Sequence, residues 1–294
     1  MSATPPRAVL ALCLGNICRS PIAHGLLEAH AQRAGLSLEV DSAGTSAHHE
    51  GEPPDPRSQR VMSAHNHNIS AQRSRPLTSS DVERFDLILA MDQRNMSEAE
   101  RLKASVGGRA QVALLLEGAR EVPDPYYGGA RGFEEVYELV DEAAQRWVRR
   151  WRAEARLLTL AEAQLKAYNR GDLEAFCACY SDDIRVLDEA GEVTCEGAEA
   201  FKERYRGLFE RAEVSGARPF GAEVSARALP PQLAPAHKGR VEVSCVDDER
   251  WWRLSPEGER SEGRVWVRYT LQATPLDLPE RALICAAQFM TTAP

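Results

Sequence analysis

The stretch Cys13-Leu14-Gly15-Asn16-Ile17-Cys18-Arg19-Ser20-Pro21 sets a thiol and a guanidinium at the two ends of a short loop, with five residues between them. A loop of this size that enters a helix can turn its backbone N–H groups inward, and the positive end of the helix dipole adds to them. The result is a socket for a dianionic phosphate with Cys13 at its floor. The same field favours thiolate over thiol, so a cysteine placed there is nucleophilic at neutral pH. Arg19 offers a planar fork that binds two phosphate oxygens and follows them as the phosphoryl group becomes trigonal, which a lysine ammonium cannot do. Gly15 lets the backbone approach closely. Leu14, Gly15, Asn16, Ile17, Cys18 and Ser20 are therefore the expected phosphate contacts. A buried structural cysteine beside a helix-capping arginine is the competing reading, and it leaves the joint placement of Cys, Gly, Arg, Ser and Pro unexplained.

Such a loop needs a strand before it and a helix after it. Val9-Leu10-Ala11-Leu12 is a short apolar run, and Pro21 to Ala34 follows with helical spacing at Ile22, Leu26, Leu27 and Ala31. The alternation continues with an expected strand at 36–40, a helix near 56–65, a strand at 85–90, a helix near 94–104 and a strand at 112–116. This order predicts an α/β fold, a parallel four-stranded sheet with helices on both faces. A helix from near Phe133 places Val136, Leu139, Val140, Ala143, Ala144, Trp147 and Trp151 on one face, and closes a first domain over residues 1–152. A second amphipathic helix is expected from Leu157 to Tyr168, opening a domain over residues 153–294. There, helical stretches at 173–180 and 198–209 precede β-rich segments around 241–246, 251–254 and 265–273, an α+β order.

With these residues in place, Cys13 to Pro21, Asp41-Ser42-Ala43-Gly44-Thr45, Ala90-Met91-Asp92 and Asp124-Pro125-Tyr126-Tyr127-Gly128 together resemble the low-molecular-weight protein tyrosine phosphatases over about residues 7–150. Taken alone, Asp124-Pro125 is a turn-forming pair. The resemblance assigns Asp124 instead as the acid that protonates the leaving group, beside a catalytic Cys13 and Arg19. It also implies that Ser20 hydrogen-bonds the Cys13 sulfur, and that Asn16 and Ser42 hold the loop in shape; by residue type those two serve equally as turn and cap residues. Tyr126 and Tyr127 are expected to flank the entrance and stack on an aromatic ring, with His48 or His49 opposite them or simply in solvent. Cys18 is placed to trap an oxidised Cys13 as a disulfide, against the alternative of a packed thiol. Many eukaryotic members carry a His shortly before the arginine matching Arg75, where this chain has Gln72-Arg73, so the network supporting the loop is expected to differ. Relatives acting on phosphoarginine tend to have Thr where this chain has Ile17, which favours phosphotyrosine or small aryl phosphates. Residues 19–176 contain no cysteine, which speaks against a thiol-relay reductase.

In the second half, Ala167-Tyr168-Asn169-Arg170-Gly171-Asp172-Leu173, Tyr180-Ser181-Asp182-Asp183-Ile184, and Gly197 ahead of Phe201 and Tyr205 resemble the nuclear transport factor 2-like superfamily, including polyketide-cyclase-like members, over about residues 157–290. That implies a curved sheet wrapped over helices, enclosing a pocket for a small apolar ligand or offering a homodimer surface. A buried carboxylate in such a pocket would favour a second activity, and a filled pocket a structural role.

Composition removes other classes. The 294 residues carry a net charge of −8 with no basic excess in either half, so nucleic acid is not an expected partner. No stretch approaches the length needed to span a bilayer, and Met1 to Arg7 shows no apolar run with a cleavage site. Seven cysteines, an odd number without repeated spacing, do not suggest a disulfide framework, and a cytoplasmic setting is expected. Neither a metal nor a cofactor is called for. The alternatives are a phosphate-sensing scaffold with incidental turnover, or a phosphoarginine phosphatase.

Overall fold

A computed structural model of the chain describes residues 5–215, 220–228, 241–254, 260–273 and 283–291, so the reading of Met1 to Thr4 lies outside the described residues. The chain forms two compact units that part between Arg149 and Arg150.

In the first unit, β1 (Ala8–Cys13), β2 (Glu39–Gly44), β3 (Leu87–Ala90) and β4 (Gln111–Leu114) pair in the order β2-β1-β3-β4, every pairing parallel. β1 and β3 are buried along their whole length, as apolar runs in the middle of a helix-covered parallel sheet must be. The connections between them are α1 (Arg19–Arg33), α2 (Pro56–Ala64), α3 (Ser79–Arg84) and α4 (Gln93–Val106). Because β2 lies on one side of β1 and β3 on the other, the chain leaves their carboxyl ends in opposite directions. The crevice so opened is where ligands bind in open α/β sheets, and Cys13 and Asp92 sit at its two walls.

Strand β2 begins later than the expected 36–40. Gly35, at φ 68°, lets Leu36 N–H donate back to the Ala31 carbonyl, so the residues after the helix form its closing turn rather than a strand. The strand then runs through the polar Asp41 and Ser42, whose side chains serve the site rather than the core.

The two helices expected on either side of residue 152 are one helix, α5 (Ala130–Arg170). Between Phe133 and Arg170 the sequence holds neither glycine nor proline and is rich in Ala, Leu, Glu, Gln and Arg, so nothing stops the helix.

In the second unit α6 (Leu173–Cys177) is shorter than expected, because Tyr180 already begins β5 (Tyr180–Leu187). β6 (Val193–Glu196) and α7 (Ala198–Ser215) follow, so a hairpin separates the helices instead of all strands coming last. Among the described residues, β7 (Phe220–Ala228), β8 (Val241–Leu254), β9 (Arg260–Ala273) and β10 (Ile284–Met290) complete a six-stranded mixed sheet ordered β6-β5-β10-β9-β8-β7. β8 is continuous where two strands were expected. Its acidic centre is tolerated because Asp248 takes a two-point contact from Arg264 at 2.6 and 2.5 Å and Glu249 accepts from the Tyr269 hydroxyl at 2.7 Å.

Candidate active site

The loop after β1 is shaped by where its carbonyls go. Cys13 O accepts from Thr45 N–H and Leu14 O from Ser46 N–H, both at 2.9 Å; Gly15 O accepts from Ser74 Oγ at 3.0 Å and Ile17 O from Asp55 N–H at 2.8 Å. With the carbonyls engaged outward, the amide edge is left for the sulfur and whatever sits above it, and Asn16 N–H donates to Cys13 Sγ at 3.3 Å. Cys18 occupies the N-cap of α1 without a side-chain cap, so the first helical amides keep their anion-binding capacity.

Asn16 holds the turn from inside. At φ 51° it takes the left-handed conformation that Asn tolerates better than most residues. Its amide donates to Ser20 Oγ and Ser42 Oγ, each at 2.9 Å, and its carbonyl accepts from Arg75 N–H at 3.0 Å. Ser20 Oγ in turn lies 3.1 Å from Cys13 Sγ. Asn16, Ser20 and Ser42 are thus buried behind the sulfur, while the sulfur faces a cavity of about 380 Å³.

Leu14, Gly15, Ile17, Cys18 and Arg19 line that cavity from the loop, and Asp124, Tyr126 and Tyr127 line it from beyond β4. Tyr127 is 95% exposed and packs edge-on against Tyr126, so it stands at the mouth rather than in the floor. His48 and His49 close the opposite side, and His49 is held there by Glu52 at 2.8 Å.

Arg19 is buried under two carboxylates. Nη1 donates to Asp92 Oδ2 at 2.7 Å, and Nη2 reaches Asp124 Oδ2 at 3.4 Å. Burial opposes the guanidinium charge, but the Cys13 sulfur, Asp92 and Asp124 outweigh it, and Arg19 holds its proton above the ordinary arginine value. Asp92 does two jobs, since its other oxygen caps α4 by accepting Asn95 N–H at 2.8 Å. Cys18 is the opposite case: burial first, then the charges of Asp55 and Cys13, push its thiol up to about 12. It stays protonated where a nucleophile is needed.

Residues 72–75 lie against the loop and the start of α1. Gln72 Nε2 donates to Pro21 O at 3.3 Å, while Ser74 and Arg75 make the contacts to the loop itself. Arg75 is fixed by Asp41 and Asp81, at 2.8 and 2.9 Å. Sequence reasoning did not single out Ser46, Ser74 or the pairing of Asp92 with Arg19. Asp92 stood in a quoted motif, but the contact spans 73 positions and leaves no local pattern.

A thiol floored in a strand-to-helix turn, ringed by amides, backed by a serine and faced by a buried arginine and a half-exposed aspartate defines a cysteine-dependent phosphate-handling site on an α/β scaffold. Residues 8–157 match the family model described as low molecular weight phosphotyrosine protein phosphatase, and residues 161–220 match the SnoaL-like domain. The chain belongs to the low molecular weight phosphotyrosine protein phosphatase family, and is an enzyme of the hydrolase class carrying a SnoaL-like domain in its second half. Among its relatives, a low molecular weight protein-tyrosine-phosphatase of Streptomyces coelicolor is 40% identical over 45% of this chain and 86% of its own length. A low molecular weight phosphotyrosine protein phosphatase of Schizosaccharomyces pombe is 43% identical over 45% of this chain and 90% of its own. Among solved structures, Vibrio vulnificus Wzb in complex with benzylphosphonate is 30% identical, covers 48% of this chain and 97% of its own, and has a TM-score of 0.45.

Proposed function

We propose that the chain hydrolyses phosphotyrosine or other aryl phosphate monoesters through a Cys13 cysteinyl phosphate. The observation that carries this reading is one cavity holding the Cys13 sulfur, the Arg19 guanidinium and the Asp124 carboxyl together. The Cys13 thiolate attacks phosphorus, the P–O bond to the phenol breaks, and the departing oxygen takes the Asp124 proton. Arg19 and the loop amides hold the three equatorial oxygens as their charge spreads. In the second step Asp124, now a carboxylate, takes a proton from water. The hydroxide so formed displaces Cys13, whose returning negative charge is met by Ser20 Oγ and Asn16 N–H. Tyr126 and the exposed Tyr127 give an aromatic rim for a phenyl ring.

The substrate is tested by phosphate release from phosphotyrosine and phosphoarginine peptides matched in sequence, using the full chain and Cys13→Ser. Turnover of the phosphotyrosine peptide, lost in the variant while inorganic phosphate still binds, is the expected result, because a serine hydroxyl is not ionised at neutral pH. Preferential release from phosphoarginine, or near-normal activity of Cys13→Ser, overturns it.

The second unit is read as a ligand-binding or dimerising module. A cavity of about 810 Å³ edged by Trp251, Trp252 and Arg250 supports the ligand side of that reading. Among the described residues no helix is long and apolar enough to cross a membrane. A cytoplasmic setting is supported by the odd count of seven cysteines.

A further inference from the structure

The acid's loop is mostly exposed, with Pro125 buried within it. Asp124, Tyr126, Tyr127 and Gly128 are all exposed, and Asp124 reaches Arg19 only at 3.4 Å. One side chain grips this loop from outside. Arg57 Nη1 donates to Tyr126 O at 3.0 Å and to Gly128 O at 3.2 Å, one carbonyl on each side of Tyr127. The rest of its fork is committed to Asp55: Nε donates to Oδ1 at 3.0 Å and Nη2 to Oδ2 at 2.9 Å. Its guanidinium also lies over the Phe133 ring at 4.5 Å and the Tyr126 ring at 5.6 Å. Asp55 is itself tied to the nucleophile's loop, because its N–H donates to Ile17 O at 2.8 Å. A continuous set of hydrogen bonds therefore runs from the phosphate loop through Asp55 and Arg57 to the acid's loop.

We propose that Arg57, seated by Asp55, is a positioning residue that holds Asp124 at proton-transfer distance from the leaving oxygen. This rests on Asp124 being the general acid. Arg57 touches neither Cys13 nor the phosphate socket, so its removal acts on protonation of the leaving group and not on phosphate binding. Lysine cannot replace it, since one ammonium cannot serve two loop carbonyls and a bidentate carboxylate at once.

The test measures the single-turnover rate of Cys13 phosphorylation for Arg57→Met, Arg57→Lys, Asp124→Asn and Arg57→Met/Asp124→Asn in the full chain, on aryl phosphates graded in phenol pKa. Inhibition by inorganic phosphate monitors the integrity of the socket. Methionine keeps an unbranched side chain without the guanidinium, and lysine keeps the charge. Both single Arg57 variants should lose about 10-fold or more on weakly acidic phenols and little on strongly acidic ones, a misplacement effect smaller than the ~10²–10⁴-fold loss in Asp124→Asn. Phosphate inhibition should be unaltered, and the double variant should be no slower than Asp124→Asn. A uniform loss across leaving groups in both Arg57 variants, weakened phosphate inhibition, or multiplying losses in the double variant overturns the role of Arg57. A flat leaving-group dependence in Asp124→Asn removes the acid itself, and the proposal with it.

Discussion

At Arg19 the chemistry and the geometry make the same demand. In the proposed mechanism the guanidinium presents two donors to phosphate oxygens while staying aimed by Asp92, whose carboxylate takes Nη1 at 2.7 Å. A lysine at 19 would bring a single ammonium on a shorter reach and would divide its donors between Asp92 and the phosphate. Arg19→Lys should therefore lower kcat/KM by about 10²- to 10³-fold, the scale of losing one preorganised oxyanion donor, and raise the inhibition constant of inorganic phosphate as well. Steady-state kinetics with competitive phosphate inhibition measures both, and unaltered constants would show that Arg19 faces elsewhere in the working enzyme. Cys13 and Arg19 were legible in the sequence because they lie in one short loop whose spacing is itself the chemistry. Asp124 was legible only through the motif around it. Arg57 and Ser74 were not, because what makes them matter is contact with carbonyls that lie 59 to 71 positions away.

At the scale of elements, the site exists because β1 and β2 end in register. Cys13 stands opposite Gly44, and the two turns that follow exchange hydrogen bonds: Thr45 and Ser46 donate to the carbonyls of Cys13 and Leu14. Gly44 is required by that closeness, since a Cβ built there would lie 2.8 Å from Leu14 O, 3.1 Å from Ser46 O and 3.2 Å from Asn16 N, all backbone atoms with little room to yield. Gly44→Ala should push the phosphate loop off the end of β2, costing about 1–3 kcal/mol of stability by overpacking. Phosphate affinity should fall with it, because the amides that form the socket belong to the displaced loop. Chemical denaturation beside phosphate inhibition tests this, and wild-type values for both would mean that the loop is not held by this strand end. The alternation of strands and helices was readable, but the extent of β2 was not: its apolar pattern stops where its functional residues start. The length of α5 was missed for a related reason, since the expected break followed a division in the apolar pattern where no glycine or proline stops the helix.

At the scale of the whole molecule, the lining of the phosphate cavity comes entirely from residues 13–127, within the first unit. The second unit has a polar core of its own. Gln164 Nε2 donates to the Tyr269 hydroxyl at 3.0 Å, Tyr269 donates to Glu249 at 2.7 Å, and the Tyr180 hydroxyl donates to Gln164 Oε1 at 3.2 Å. These groups are buried among Ile184, Phe201, Val267 and Leu271, and burial holds both phenols well above the ordinary tyrosine value. The tyrosines therefore act as neutral donors, and Tyr269 is the member that links the amide to the carboxylate. Tyr269→Phe keeps the ring and deletes that link, withdrawing one donor from Glu249 and one acceptor from Gln164 inside an apolar surround. The second unit should lose about 1–3 kcal/mol, the usual penalty for stranding buried polar groups. Phosphatase constants at a temperature well below unfolding should stay within about twofold, since additivity holds for sites that share no partners. Differential scanning calorimetry and steady-state assays on the same protein separate the two effects. A destabilised protein with unchanged kcat and KM supports a network that serves the second unit's fold alone, whereas a matching drop in kcat would mean that this core and the phosphate site are energetically coupled.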